Sequence, residues 1–356
     1  MLNGKHVDLN FFKNKRVFIT GHTGFKGSWL SYILDRNKSI IKGYSLSPNT
    51  KPSLFSKLKF SDQFTSVISN INDFDKLRDE IVSFSPDIIF HLAAQPIVLE
   101  SYENPKHTFD TNFTGTLNIL EILREINIKC ACVFVTTDKV YDNNEIKYRF
   151  KEEDKLGGKD PYSASKAASE ILINSYSHSY FLKSNVSIAS VRAGNVIGGG
   201  DWSNHRLIPD IIRAHKNNSQ LDIRYPEAVR PWQHVLEPLL GYLILAKNLY
   251  LNKIRYSGSW NFGPEKNDIK TVSEVLKIAK DEGMELIYSE NNKNKFYESK
   301  FISLDISKAK KLLSWKPKWK SEMAVKKTIQ WYLNFYSNKS VEQLIENDIK
   351  SYLKNG

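Results

Sequence analysis

Five residues in two short stretches carry groups that can move protons. Thr137, Asp138 and Lys139 are consecutive and offer a hydroxyl, a carboxylate and an ammonium. Further on, Tyr162 and Lys166 stand four apart in Tyr162-Ser163-Ala164-Ser165-Lys166. On a helix that spacing puts both side chains on one face. A lysine held near a phenol favours the phenolate, which makes the tyrosine a usable base near neutral pH. A lysine beside a carboxyl can serve as a base only where burial or charge lowers its pKa, and the neighbouring Asp138 works against that. Read alone, the same residues are an exposed strand end and a solvated helix pair. The elements around them decide.

Thr137 follows the apolar run Cys130-Ala131-Cys132-Val133-Phe134, which reads as a buried strand. The C-terminal end of such a strand is where open α/β sheets bind ligands. Earlier strands are predicted at 16–20, 40–46, 63–69 and 87–91, and a later one at 186–192. Helices are predicted at 28–36, 74–83 and 109–126, and from Tyr162 on through Tyr176. This alternation predicts an α/β fold with a doubly wound, parallel sheet of the Rossmann type. Between the first strand and helix lies Thr20-Gly21-His22-Thr23-Gly24-Phe25-Lys26-Gly27, a GxxGxxG turn. Its glycines permit a tight turn and close backbone approach, and the helix N-terminus offers free N–H groups to a diphosphate. The alternative is a plain turn with glycine caps. The second strand ends in Tyr44-Ser45-Leu46-Ser47, with neither an acid for a ribose hydroxyl nor an arginine for a ribose phosphate. NAD and NADP are therefore both open on this criterion. Lys42 is read as facing solvent.

Two later loops carry polar groups. Ala193-Gly194-Asn195-Val196-Ile197-Gly198-Gly199-Gly200-Asp201-Trp202 is glycine-rich and should line a site. Arg230-Pro231-Trp232-Gln233-His234-Val235 brings a cation, an aromatic and an imidazole. Arg230 suits a phosphate, which guanidinium binds bidentately; a lone histidine such as His234 is more often structural. A helix is predicted at 209–215, an amphipathic segment at 323–336 and a mobile loop at 291–294. Residues 12–192 are expected to form the dinucleotide domain. Residues 193–350 are expected to form mainly a smaller C-terminal substrate-binding lobe, with some segments returning to the sheet.

The chain has 356 residues, 41% of them apolar, enough for a substantial core. Its net charge of +12 is spread over Lys-rich helical surfaces, and no nucleic-acid motif accompanies it. A positive cleft for a phosphate-bearing substrate is compatible with that charge. Cys130 and Cys132 lie two apart on a strand, so they share a face, seldom form a good disulfide, and alone make a poor zinc site. They read as buried apolar residues in a reducing compartment, and no metal is expected. The N-terminus lacks the apolar core of a signal peptide, and the most apolar helix, 239–251, carries Lys247 and is short for a membrane span. A soluble, cytoplasmic protein is expected.

The whole set resembles the extended short-chain dehydrogenase/reductases that act on nucleotide sugars. The resemblance runs from Arg16 to about Trp319. It rests on the glycine turn, His91-Leu92-Ala93-Ala94, Asn112, Thr137, the YxxxK of Tyr162 and Lys166, Asn195, and the late Asp305-Ile306-Ser307-Lys308-Ala309 and Trp315-Lys316-Pro317. Gly157-Gly158-Lys159-Asp160-Pro161-Tyr162-Ser163, the two later loops and Lys139 resemble the CDP-glucose branch of the 4,6-dehydratases. Lys139 by itself also resembles the inverting UDP-N-acetylglucosamine dehydratases. Ala164, where the branch usually has Asn, and Asn70, where an Asp commonly holds adenine, depart from the pattern.

The resemblance implies an internal redox elimination with NAD. Tyr162 takes the proton of the sugar C4 hydroxyl, and Lys166 supports it and the nicotinamide ribose. Thr137 hydrogen-bonds the developing oxyanion, Lys139 removes the C5 proton and Asp138 protonates the leaving C6 hydroxyl. Implied cofactor contacts are Gly21, His22, Thr23, Gly24, Phe25, Lys26, Gly27, Ser45, Asn70, Ile71, Leu92, Ala93, Ala94, Gln95 and Thr111, besides Tyr162 and Lys166. Implied substrate contacts are Gln95, Asn195, Arg206 and Arg230, with Leu207 near the base. A nucleotide-sugar 4-epimerase on the same scaffold needs Thr137 and Tyr162 but no acid–base pair beside them, and a cofactor sensor needs no catalytic set. A homodimer or homotetramer is implied, with neither nucleic acid nor membrane as partner.

Overall fold

The computed structural model describes residues 8–145, 147–290 and 301–354. Its strands are β1 (Arg16–Thr20), β2 (Ile40–Ser45), β3 (Phe64–Ile68), β4 (Ile88–His91), β5 (Cys130–Val135), β6 (Val186–Ala193) and β7 (Gly258–Phe262). They form one seven-stranded sheet in the order β7-β6-β5-β4-β1-β2-β3, parallel at every step. Chain order reverses between β1 and β4. Loops leaving those two strands diverge, and the crevice between them is the place for a ligand.

Helices cover both faces: α1 (Phe25–Arg36), α2 (Phe74–Phe84), α3 (Gly115–Glu125), α4 (Pro161–Tyr176), α5 (Leu207–Asn217), α6 (Leu236–Leu251), α7 (Ser321–Tyr336) and α8 (Val341–Lys354). With both faces covered, β5, inside the sheet, is apolar throughout. On β5 the alternation splits the core in two. Cys130, Cys132 and Phe134 pack with Phe18, Ile89 and Ile188 on one side, while Ala131, Val133 and Val135 join the larger cluster on the other. Both cysteines are free and buried, and burial pushes their thiols up, so they pack as small apolar groups. No helix among the described residues is long and apolar enough to cross a membrane.

The structure corrects some expected elements. The helix expected over 109–126 is interrupted: a short helix, Pro105–Phe109, passes through a wide π turn, Asp110–Thr114, before α3 begins. The turn aims Asn112 inward, where Oδ1 accepts from Gln95 N at 2.8 Å and Nδ2 donates to Gln95 O at 3.1 Å and Ser165 Oγ at 2.9 Å. One side chain thereby ties the loop after β4 to α4, the functional use to which π turns are commonly put. Lys42 does not face open solvent. Its ammonium pairs with Glu80 on α2 at 2.7 Å and its side chain is 17% exposed, because α2 lies over that face. The loop expected at 291–294 lies outside the described residues.

Candidate active site

The crevice opens into a cleft of about 340 Å³ whose walls include Thr137, Asp138, Lys139, Tyr162, Asn195, Arg206, Leu207 and Arg230. Two elements deliver the proton-moving groups. β5 ends at Val135, and Thr137 caps a short 3-10 turn, Asp138–Val140, its Oγ1 accepting from Lys139 N at 3.4 Å. On the facing side, Asp160 caps α4 by accepting from Ser163 N at 2.9 Å, with Pro161 at the first helical position. That cap fixes Tyr162 in the first turn and Lys166 one turn below it.

Burial sets the protonation states. Tyr162 is 8% exposed, and desolvation pushes its phenol up to about 12 despite the Thr137 hydroxyl. Lys166 is 3% exposed, and burial, with Lys26 adding like charge, brings its ammonium down to about 7. Lys166 Nζ donates to the Val135 carbonyl at 3.2 Å. The expected depression of the phenol by Lys166 is therefore not met in this state: desolvation wins, and the lysine points to the strand end. Asp138, 2% exposed, is raised by burial, opposed by Lys139, the Thr137 hydroxyl at 3.1 Å and Arg230. Its Oδ2 has no hydrogen-bond partner among the described residues. Burial thus shifts this carboxyl toward the protonated form that a general acid uses.

On the substrate side, Arg206 Nη1 pairs with Asp201 Oδ2 at 2.7 Å at the start of α5. Arg230 is buried beside Asp138 and donates to the Val229 carbonyl at 3.1 Å. Gln95 does not line the cleft. Its side chain closes its own loop, Oε1 accepting from Ile97 N at 2.6 Å and Nε2 donating to Thr108 Oγ1 at 2.8 Å; Pro96 and Ile97 face the cleft in its place. His234 also lies elsewhere, fully buried between Trp29 and Trp319 with its imidazole down to about 3 through burial. It is a core residue.

The glycine turn fits a dinucleotide. Gly21 has φ +74°, and a Cβ there would stand 2.7 Å from Ala93 N; one on Gly27 would stand 2.1 Å from Gly21 O. Gly24 is exposed at the N-cap of α1, with no side-chain cap on the free N–H groups behind it. Leu92, Ala93 and Ala94 are half-buried opposite, with Ala93 N donating to Thr20 Oγ1 at 3.2 Å. Beyond β2, Thr23 Oγ1 meets Ser45 Oγ at 2.9 Å and the Leu46 carbonyl at 2.8 Å. Asn70 is exposed, its Oδ1 held by Asn72 N at 3.0 Å, and Ile71 lies buried against Gly115. Thr111 is half-buried within the π turn. The His22 side chain, however, turns away from the groove. It is buried, bonded to Ser66 Oγ at 2.7 Å and packed so closely on Gly43 that a Cβ there would come within 2.4 Å. Only its backbone is left to a ligand.

Two residues, Asp201 and Glu170, were not singled out by the sequence reading of this site, and a third, Lys26, was given another role. Asp201 orients Arg206. Lys26, read as a cofactor contact, lines the substrate cleft with Phe25, and burial, together with Arg206, brings its ammonium down to about 8. Glu170, one turn beyond Lys166, accepts from Arg192 at 2.8 Å, Thr136 at 2.5 Å and Ser190 at 2.7 Å, and so locks α4 to the ends of β5 and β6. An acid at four-residue spacing from Lys166 was the available signal for Glu170.

Comparisons with known proteins place this geometry. The family model described as GDP-mannose 4,6 dehydratase matches residues 18–328. A protein of Salmonella typhimurium named CDP-glucose 4,6-dehydratase is 44% identical over 98% of this chain and 98% of its own. Among solved structures, an epimerase from Methanothermobacter thermautotrophicus superposes with a TM-score of 0.79 at 20% identity, over 93% of this chain and 95% of its own. A dTDP-glucose 4,6-dehydratase from Bacillus anthracis, solved in complex with NAD, gives 0.74 at 23% identity over 91% and 98%. At such identities the solved structures speak for the fold, whereas the family model and the Salmonella protein cover nearly the whole chain. The chain therefore belongs to the GDP-mannose 4,6 dehydratase family of extended short-chain dehydrogenase/reductases.

Proposed function

We propose that this protein is an NAD-dependent CDP-glucose 4,6-dehydratase, which converts CDP-glucose to CDP-4-keto-6-deoxyglucose and water. The carrying observation is one cleft that joins a buried acid, Asp138, to Thr137, Lys139 and Tyr162, in a chain 44% identical to a protein of that name. The glycine turn and the Leu92 to Ala94 backbone hold the dinucleotide, which supplies a hydride acceptor and donor when bound.

The residues divide the proton work. Tyr162 is the base for the C4 hydroxyl and must first lose its own proton, which burial helps it keep in this state, while Thr137 hydrogen-bonds the oxygen that becomes the ketone. The ketone acidifies the C5 proton, and Lys139 removes it. Asp138 gives its proton to the C6 hydroxyl, which leaves as water; Lys139 then returns the proton to C5. Arg206, Arg230 and Asn195 hold the nucleotide diphosphate, and Leu207 packs near the base. Residues 12–192 bind the dinucleotide and residues 193–350 mainly the sugar nucleotide. We read the protein as a cytoplasmic homodimer or homotetramer, with exposed Ile171 of α4 among the apolar groups available for pairing; light scattering gives its mass.

The test is a panel of CDP, UDP, GDP and dTDP sugars with NAD, read by mass spectrometry. Loss of one water from CDP-glucose alone, with no net NADH, is expected. Loss of water from another sugar instead would keep the mechanism and change the substrate. Altered configuration at unchanged mass would make the protein an epimerase.

A further inference from the structure

A sugar nucleotide is a linear molecule, so a cleft that holds its sugar at one end must hold its base at the other. In the proposed reaction Asp138, Lys139 and Tyr162 mark the sugar end, and Arg206 and Arg230 the diphosphate. Arg206 is the N-cap residue of α5, and the cleft continues along that helix past Leu207 to Asp210. Leu207 and Asp210 are three apart and share a helical face. α5 packs beside the short strand Gln220–Ile223, whose buried Leu221 and Ile223 also line the cleft. Apolar walls with a polar group at the edge make a slot for a flat ring that carries hydrogen-bonding atoms.

Asp210 is held in one orientation. Arg213, on the next turn of α5, donates through Nη2 to Asp210 Oδ1, and both residues are half-buried. The same guanidinium is fixed by two carbonyls, Nη1 donating to Trp202 O at 3.0 Å and Nη2 to Ser203 O at 3.1 Å. Oδ1 is thus occupied, while Oδ2 receives no hydrogen bond from the described residues. Burial raises this carboxyl, and Arg213, His205 and Arg224 oppose the rise and favour the carboxylate. An ionised carboxylate can only accept hydrogen bonds. The other acid on this wall, Asp222, is exposed, and its Oδ1 accepts from Ser289 Oγ at 2.9 Å.

The pyrimidines differ in what they offer such a group. Cytosine presents the N4 amino group, a donor, where uracil and thymine present O4, an acceptor. We infer that Asp210 reads the base of the substrate: its Oδ2 accepts from the N4 amino group of cytosine and repels O4 of uracil or thymine. Arg213 is the positioning residue that occupies Oδ1 and so leaves Oδ2 to the cleft. The inference rests on the dehydratase reading and gives its choice of nucleotide a physical source in this chain, beside the likeness to a relative.

The experiment is calorimetric titration of CDP, UDP, dTDP and GDP into the NAD-loaded protein, as wild type, Asp210→Asn and Asp222→Asn. Wild type is expected to bind CDP at least about tenfold more tightly than UDP or dTDP, since the wrong base leaves the carboxylate facing an acceptor. In Asp210→Asn, Arg213 still demands an acceptor, so the amide carbonyl turns to Arg213 and the NH2 group to the cleft. A donor then stands where an acceptor stood, and the preference for CDP over UDP should be lost or reversed while both still bind. Asp222→Asn should keep the wild-type preference. An unchanged preference in Asp210→Asn overturns the inference, as does its loss in Asp222→Asn or a wild type that binds GDP as tightly as CDP. If Asp210→Asn does not fold, wild type is titrated with the diphosphate of pyrimidin-2-one riboside, which is CDP without its amino group. Binding at least about tenfold weaker than that of CDP supports the inference, and equal binding overturns it. None of these titrations needs turnover, so a missing base preference would leave the elimination standing. A wild type that binds CDP but removes water from no nucleotide sugar would overturn the dehydratase reading instead.

Discussion

Lys166 Nζ donates to the Val135 carbonyl at 3.2 Å, which ties the helix that carries Tyr162 to the strand end that carries Thr137. Both partners are buried, and the lysine is held at about 7 by desolvation. The arrangement is costly, and the cost has a sign. In the unfolded chain the lysine keeps its proton up to about 10.5. Between about 7 and 10.5 the unfolded state therefore binds more protons than the folded one, and stability rises with pH across that window.

Replacing Lys166 by Met should accordingly remove a buried charge and raise stability at pH 7 while abolishing turnover. Urea titrations at pH 7 and pH 9 measure it: the wild-type gain between those pH values should shrink in the variant. An unchanged gain would show that the window belongs to other groups.

Tyr162→Phe should leave the fold intact and lower kcat by about 10²–10⁴, the usual worth of a positioned base. Circular dichroism and water loss by mass spectrometry are the two readouts. Retained turnover would remove Tyr162 from the chemistry.

Gly194 is bound to its identity by Asp138. A Cβ at 194 would lie 2.0 Å from Asp138 Oδ2, so Gly194→Ala must displace the carboxyl group. We expect a loss of about 1–3 kcal/mol in stability and a fall in kcat with dinucleotide binding unchanged, followed by denaturation and by quenching of protein fluorescence on NAD addition.

Arg230→Ala should raise KM for CDP-glucose about tenfold or more while kcat changes little, since binding the diphosphate in ground and transition states alike affects KM alone. A fall in kcat at constant KM would move Arg230 from binding to chemistry, which its place beside Asp138 makes a sharp comparison.

Glu170 and Arg192 form a buried pair at 2.8 Å, with side chains 1% and 3% exposed. Removing one partner strands the other charge. Glu170→Ala should cost about 3–5 kcal/mol, visible as a lower denaturation midpoint, and activity should fall with it because Thr136 Oγ1 also bonds this carboxylate.

Much of this was legible in the chain. The strand at 16–20 is β1 at both ends, and the apolar run from Cys130 is β5, because a strand covered on both faces writes itself as a continuous apolar stretch. The Tyr162 and Lys166 spacing, the glycine turn and the placing of Thr137 at a strand end are likewise local properties. Asn195, Arg206, Leu207 and Arg230 also meet in the cleft.

What the chain could not disclose is set by neighbours distant in sequence. Whether His22 meets a ligand depends on Gly43 and Ser66, which take its ring. Whether Gln95 reaches the cleft depends on Thr108 and Asn112, which hold it back. The interruption at Asp110–Thr114 exists because Asn112 has partners on two other segments. Protonation is the clearest case. Tyr162, Asp138 and Lys166 have side chains whose ordinary pKa values follow from their chemistry, but desolvation depends on which atoms surround them. The sequence by itself determined which groups could exchange protons and the sheet that presents them; the tertiary structure decided which are buried, and burial shifts each of them toward its neutral form.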